Sequence, residues 1–286
     1  PNFFLQLAMY LKRASTQHLT PFRIRLSDVI LHAMAGIVIG LGFFADDIYV
    51  PPIPRQYYYW CPVSVREIFC NVAQVDNIKR LGVYMCMAVG TVAVTIAVRT
   101  FYNERVVYWR EAASGGNTVA YFLAKCLVDL EAMVINSLVL VSALFIVTSP
   151  NGHFSDYFTG VLLYEYCSYG AAYVISWLFP YPSLFSVIVA LISGLGTGAS
   201  STVDDMGAIG YICWARWWGE YYYIIELREN IYHPTVQPLM RAYADDSAGY
   251  NMDNKVGCLV GMLVVGTCLR MLAYASMRLM KRDKQR

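Results

Sequence analysis

The stretch Asn103–Leu130, NERVVYWREAASGGNTVAYFLAKCLVDL, decides how the rest of the chain is read. Its first half is charged and aromatic; its second half is apolar enough to enter a bilayer. Between them stands Ser114-Gly115-Gly116-Asn117, a run of turn-forming residues. A long apolar run lies on either side of the whole. The arrangement reads as a short charged helix at a membrane surface, feeding through a turn into a membrane-crossing helix. Such an element can receive force from outside the membrane.

The composition agrees. The 286 residues are 57% hydrophobic and 15% charged, with a mean hydropathy of +0.43. Soluble domains carry about a quarter charged residues, so part of this surface needs lipid to cover it. The chain begins at Pro1 and is expected to be processed or partial. Phe3–Tyr10 is too short for a cleavable signal and runs into Lys12-Arg13.

Roughly 20 apolar residues cross the hydrocarbon, which predicts an all-α membrane protein with six spans, at 28–45, 81–101, 118–148, 157–179, 183–199 and 256–277. Residues 1–27, basic and amphipathic, read as an interfacial elbow helix. Residues 200–255 form the largest loop, with helical segments expected near 211–231. With both termini on one side, that side carries 13 Lys/Arg against 8 in the opposite loops, and 4 Asp/Glu against 13. The positive-inside rule then puts both termini in the cytoplasm or an equivalent compartment.

Tyr57-Tyr58-Tyr59-Trp60 and the cluster Trp214, Trp217, Trp218, Tyr221, Tyr222, Tyr223 read as interfacial belts, with a ligand-stacking surface as the rarer alternative. Cys61, Cys70 and Cys213 fall in loops, where a disulfide is one option if those loops face an oxidising compartment. The four histidines show no metal-ligand spacing.

No GxxxxGK[ST] run occurs, so the chain lacks a nucleotide-phosphate cradle. No catalytic triad-like set stands out, and no basic-aromatic pattern points to nucleic acid. The chain is not expected to be an enzyme by itself. Inside the spans, Asp129, Glu131, Glu165 and Arg270 are costly to place in lipid. They read as interhelical pairs, with transport chemistry as the alternative. Arg99 and Lys125 lie near span ends, from which their charges are expected to snorkel to water.

The run Glu104-Arg105-x-x-Tyr108-Trp109-Arg110-Glu111-x-x-Ser114-Gly115, with Ala120–Lys125 and Asp129 after it, resembles the coupling-helix region of White-type (G-subfamily) ABC half-transporters, the plant-type members above all. Arg25–Gly40, Ile192–Leu195, Cys213-x-x-Arg216-Trp217 and Gly249-Tyr250 resemble further family landmarks in the right order.

The resemblance implies a membrane domain whose Glu104, Arg105, Tyr108, Trp109, Arg110 and Glu111 dock on a nucleotide-binding domain, with ATP and Mg bound there and not in this chain. It also implies pairing of two membrane domains, alike or different, around a cavity lined by spans two and five. Ala88, Val89, Val92, Leu195 and Gly196 fall on those spans. Val92 stands where several animal members carry an aromatic, and Leu195-Gly196 where they carry two leucines. The function expected is export of an amphipathic or lipid-like substrate. The alternative is a cassette-less structural subunit of a larger membrane assembly.

Overall fold

The computed structural model describes residues 2–19, 22–43, 77–148, 150, 152–199, 207–229 and 249–280. Ten helices and no strand occur among them: α1 (Phe3–Leu19), α2 (Phe22–Phe43), α3 (Asn77–Tyr102), α4 (Arg105–Ala113), α5 (Thr118–Thr148), α6 (Phe154–Leu178), α7 (Pro182–Ala199), α8 (Gly207–Ile212), α9 (Trp214–Glu229) and α10 (Lys255–Leu279). The chain is all-α. Expectations on Tyr57–Trp60, on Cys61 and Cys70, and on the charged tail 281–286 fall outside the described residues.

Among the described residues, four helical stretches are long and apolar enough to cross a membrane: Phe22–Gly42, Ile78–Ala113, Thr118–Thr148 and Lys255–Leu279. A shorter apolar helix covers Pro182–Leu191. The two outermost stretches, α2 and α10, bury the least of themselves against protein. They turn Ile30, Met34, Val38 and Leu41, and Val260, Leu263, Val264 and Met271, outward. Apolar side chains left uncovered along whole helices are suited to lipid, since water would make them costly.

At the centre stands α6, packed against α3, α5, α7, α9 and α10. Its buried side chains cover its whole circumference, including Tyr157, Tyr164, Tyr169, Tyr173 and Trp177. Small residues bring the neighbours close. A Cβ on Gly36 of α2 would stand 2.6 Å from the Leu140 carbonyl of α5, and one on Gly170 of α6 would stand 2.9 Å from Leu269 Cβ of α10. These contacts set α2 against α5 and α6 against α10 at backbone distance, the means by which helices associate in lipid.

One expectation is overturned in α9. Trp214, Trp218, Tyr221, Tyr222 and Tyr223 are buried, and only Trp217 of that cluster keeps partial exposure. They do not form a membrane-interface belt. Trp218 stacks on Tyr222 at 5.9 Å and donates to the Gly82 carbonyl of α3 at 3.3 Å, while Tyr221 donates to the Asp156 carbonyl of α6 at 2.9 Å. The aromatic helix closes the end of the bundle as a plug of protein core. The polar tips of Trp218 and Tyr221 are thereby satisfied by helix backbone.

Candidate functional site

The charged half of the opening stretch forms α4, which turns off the end of α3. Glu104 is its N-cap residue, yet its side chain makes no capping bond. The carboxylate is held elsewhere. It accepts from Lys125 Nζ of α5 at 2.7 Å and from the Tyr121 hydroxyl at 3.3 Å, and lies 3.6 Å from Arg13 of α1. An acid at this position also suits the positive end of the helix. Glu111, two turns on, pairs with Arg13 as well.

Tyr108, 1% exposed, packs between Tyr121 and Trp177, each ring 5.2 Å away. Burial pushes its phenol up to about 12, so it stays neutral. The Arg105 guanidinium lies 4.9 Å over the Tyr102 ring and donates to the Phe179 carbonyl at the C-terminal end of α6, at 2.8 Å. A cation there also meets the negative end of that helix.

Four of the six residues expected to reach a cytosolic partner therefore grip this domain: Glu104, Arg105, Tyr108 and Glu111. Trp109 is half-buried against the same aromatic core. The physical reason is spacing, since positions 104, 108 and 111 share one helical face. The opposite face is exposed. Val106 (58% exposed) and Arg110 lie on it, four residues apart, with the exposed Ser114 just past the end of α4.

The turn after α4 is built as its sequence suggests. Gly115 adopts φ +87°, a conformation that favours glycine. Its N–H bonds the Ala112 carbonyl, and the Gly116 N–H bonds the Glu111 carbonyl. Those two bonds make a Schellman C-cap. Asn117 then caps α5, its Oδ1 accepting from the Val119 and Ala120 N–H groups at 3.0 and 3.1 Å. With four residues all so engaged, α4 and α5 are joined without slack.

The intramembrane charges each tie helices together, but not to one another. Asp129 of α5 accepts from the Tyr173 hydroxyl of α6. Glu131, 59% exposed, accepts from Arg25 of α2 at 2.8 Å. Glu165 of α6 faces His32 Nε2 of α2 at 3.5 Å, both side chains fully buried. Arg270 of α10 donates to the Tyr166 carbonyl of α6 at 2.5 Å and lies 3.4 Å over that residue's ring. Lys125 and Arg99 are both ion-paired: the first, 10% exposed, with Glu104, and the second, 41% exposed, with Asp28 at 2.5 Å.

His32, Asp28 and Arg13 were not among the expected site residues. The i, i+4 spacing of Asp28 and His32 in an apolar helix was the available signal. Asp28, Arg99, Lys125, Asp129, Glu104 and His18 line a polar cavity of about 210 Å³ beneath α1.

Along α3, Val89 is buried in the core, while Ala88 and Val92 are partly covered. Val89 thus turns away from any cavity on the open side of α3, where Tyr84 and Thr95 are exposed. Thr91 and Thr95 donate back to the Met87 and Thr91 carbonyls at 2.7 and 2.6 Å, which hides their hydroxyls. Leu195 and Gly196 belong to the last turns of α7, packed on α3; side chains beyond Leu191 lie outside the described residues.

Comparison with known proteins now bears on this geometry. The family described as ABC-2 type transporter matches residues 71–283. ABC transporter G family member 28 of Arabidopsis thaliana is 26% identical over 282 residues, 97% of this chain and 22% of that protein. ABC transporter G family member 25 of Oryza sativa subsp. japonica is 25% identical over 284 residues, 98% of this chain and 25% of its own length. The ABC-type transporter claG of Penicillium crustosum is 28% identical over 225 residues, 76% of this chain and 29% of its own length. The chain thus spans less than a third of each of these relatives. Its helices, its apolar outer faces and the family match agree: the chain is an integral membrane protein that belongs to the ABC-2 type transporter family.

Proposed function

We propose that this chain is the membrane domain of an ATP-driven G-type transporter exporting an amphipathic or lipid-like substrate. ATP, with Mg, is bound and hydrolysed by a nucleotide-binding cassette outside these residues. Two membrane domains pair around a cavity to which the open side of α3 and α7 contributes. The α4 side faces the cytoplasm, in keeping with the charge balance of the loops.

The observation that carries the reading is the construction of α4. One face is locked to α1, α5 and α6, and the other offers Val106 and Arg110 to a partner. A helix so held moves with its neighbours as a rigid body, and a shift at its outer face reaches α5 directly. The docking surface is therefore that exposed strip, and the expected residues Glu104, Arg105, Tyr108 and Glu111 act behind it as anchors.

Val106→Asp with Arg110→Glu tests this in the assembled transporter. Substrate-stimulated ATP hydrolysis and export fall at least about tenfold, the loss expected when a central interface anchor and its charge are reversed. Thermal stability of the membrane domain stays unchanged. Full coupling in that variant refutes the docking face, and failure of any ATPase to co-purify with the chain favours the cassette-less structural subunit.

A further inference from the structure

Three Lys or Arg side chains are buried among the described residues: Lys125, Arg216 and Arg270. Lys125 faces Glu104 at 2.7 Å and Arg216 faces Glu220 at 3.8 Å. Arg270, 8% exposed, has no carboxylate partner among the described residues. Its Nη1 donates to the Tyr166 and Gly266 carbonyls at 2.5 and 3.2 Å, and its Nη2 lies 4.0 Å from Met133 Sδ. The Tyr166 ring, 3.4 Å beneath, fixes the guanidinium plane. A cation held within a membrane span without a counter-charge is costly, and such residues mark sites of function.

Arg270 lies in the wall of a groove of about 430 Å³ between α5 and α10. That volume suits a small-molecule site. Leu123, Leu127 and Leu130 of α5 and Met271 of α10 line the groove, and all four are exposed on the outer face of the bundle. The groove starts near Thr118, whose hydroxyl lies 3.3 Å from that of Tyr274. Cys126, which lines the groove with Arg270, is two turns further along α5, about 12 Å at 1.5 Å per residue.

This depth selects the occupant. A two-chain phospholipid keeps its hydrated headgroup at the surface. A charge reaching Arg270 must be compact and carried on a slim apolar body. A carboxylate fits, because its two oxygens match the edge of a guanidinium. We propose that the α5–α10 groove binds an amphiphile bearing one carboxylate, its charge on Arg270 and its apolar body along Leu123, Leu127 and Leu130. Binding here needs neither ATP nor the α4 docking face, so it stands apart from the transport reading.

The test is equilibrium binding of carboxyl-labelled oleate to the intact protein in phosphatidylcholine nanodiscs, without nucleotide. Arg270→Met removes the charge and keeps an unbranched side chain. Leu127→Trp fills the groove from a side chain that is 48% exposed, so folding is spared. Arg270→Met weakens oleate binding about tenfold or more, the loss expected for one charge-assisted pair, and Leu127→Trp weakens it as much by occupying the groove. Oleyl alcohol fails to displace the label. Unchanged binding in Leu127→Trp overturns the groove, even where Arg270→Met does not fold. Displacement by oleyl alcohol as efficient as by unlabelled oleate overturns the role of Arg270, and equal displacement by phosphatidylglycerol overturns the carboxylate in favour of a phospholipid headgroup.

Discussion

Replacing Glu104 by alanine removes the acceptor that holds Lys125 at 2.7 Å, and leaves the ammonium Gln17 Oε1 at 3.1 Å as its one acceptor among the described residues. The two side chains are 10% and 17% exposed, so the pair is nearly dry. Breaking a buried pair from one side costs about 3–5 kcal/mol, most of it from the stranded charge. The remaining amide acceptor and the slight access to water place the expected loss near the low end, about 3 kcal/mol.

Lys125→Met removes the cation and lets Glu104 keep Arg13 and Tyr121. The double variant then loses less than the sum of the two, by a coupling energy of about 2 kcal/mol. Denaturant unfolding in mixed micelles across the four proteins measures it. Arg110→Ala, on the exposed side of the same helix, changes stability by no more than about 0.5 kcal/mol. A Glu104–Lys125 coupling below about 0.5 kcal/mol would show that α4 is not anchored through this pair.

Two further outcomes follow from the same packing. Gly36→Ala drives a methyl to 2.6 Å from the Leu140 carbonyl, a backbone atom that cannot step aside, and lowers stability by about 1–3 kcal/mol; Gly42→Ala, with nothing within 4 Å, stays neutral or gains slightly. A Gly36→Ala protein as stable as the parent in thermal unfolding would mean that α2 and α5 are not in backbone contact. His18 of α1 is held below its ordinary value of 6.5, first by burial and also by the Arg25 and Lys125 charges, against the opposing pull of nearby carboxylates. The folded chain therefore binds this proton less readily than the unfolded one, and the stability it contributes is complete above pH 6.5 and lost as pH falls through the lower folded value. His18→Gln flattens the acid-side decline in melting temperature relative to the parent, and identical pH profiles would count against a buried neutral imidazole.

Hydropathy and turn chemistry made the helical class and the α4–α5 joint readable from the residues. Ser114–Asn117 contains both a glycine for the cap and an asparagine for the next helix, and nothing distant is needed to place them. The face of α4 was not readable in the same way. Glu104 and Arg110 are both charged and six residues apart, and only the distant Lys125 and Arg13 determine that the first turns inward. The α9 aromatics misled for a related reason. A Trp/Tyr cluster has the same composition whether it lies at a lipid interface or in a core, and burial is decided by α3, α6 and α10, far away in sequence. The Glu165–His32 pair joins α2 to α6, far apart in the chain and beyond the reach of periodicity.

The glycine contacts divide the bundle along a seam. Where helices meet at backbone distance, as α2 does with α5 and α6 with α10, neither member can roll or slide without collision. Each pair is stiff, so strain is released between pairs. Along that seam the contacts are between side chains rather than backbones: Phe145 against Tyr157, and the polar bridges of Asp129 to Tyr173 and His32 to Glu165. Side chains can tilt where backbones in contact cannot. The α5–α10 groove opens on the same seam, and α4 is fastened to both leaves, to α5 through Glu104–Lys125 and the Ser114–Asn117 turn, and to α6 through Arg105 and Tyr108. Held across both covers of the book, α4 is a clasp on their spacing, and the groove lies where a change in that spacing would show.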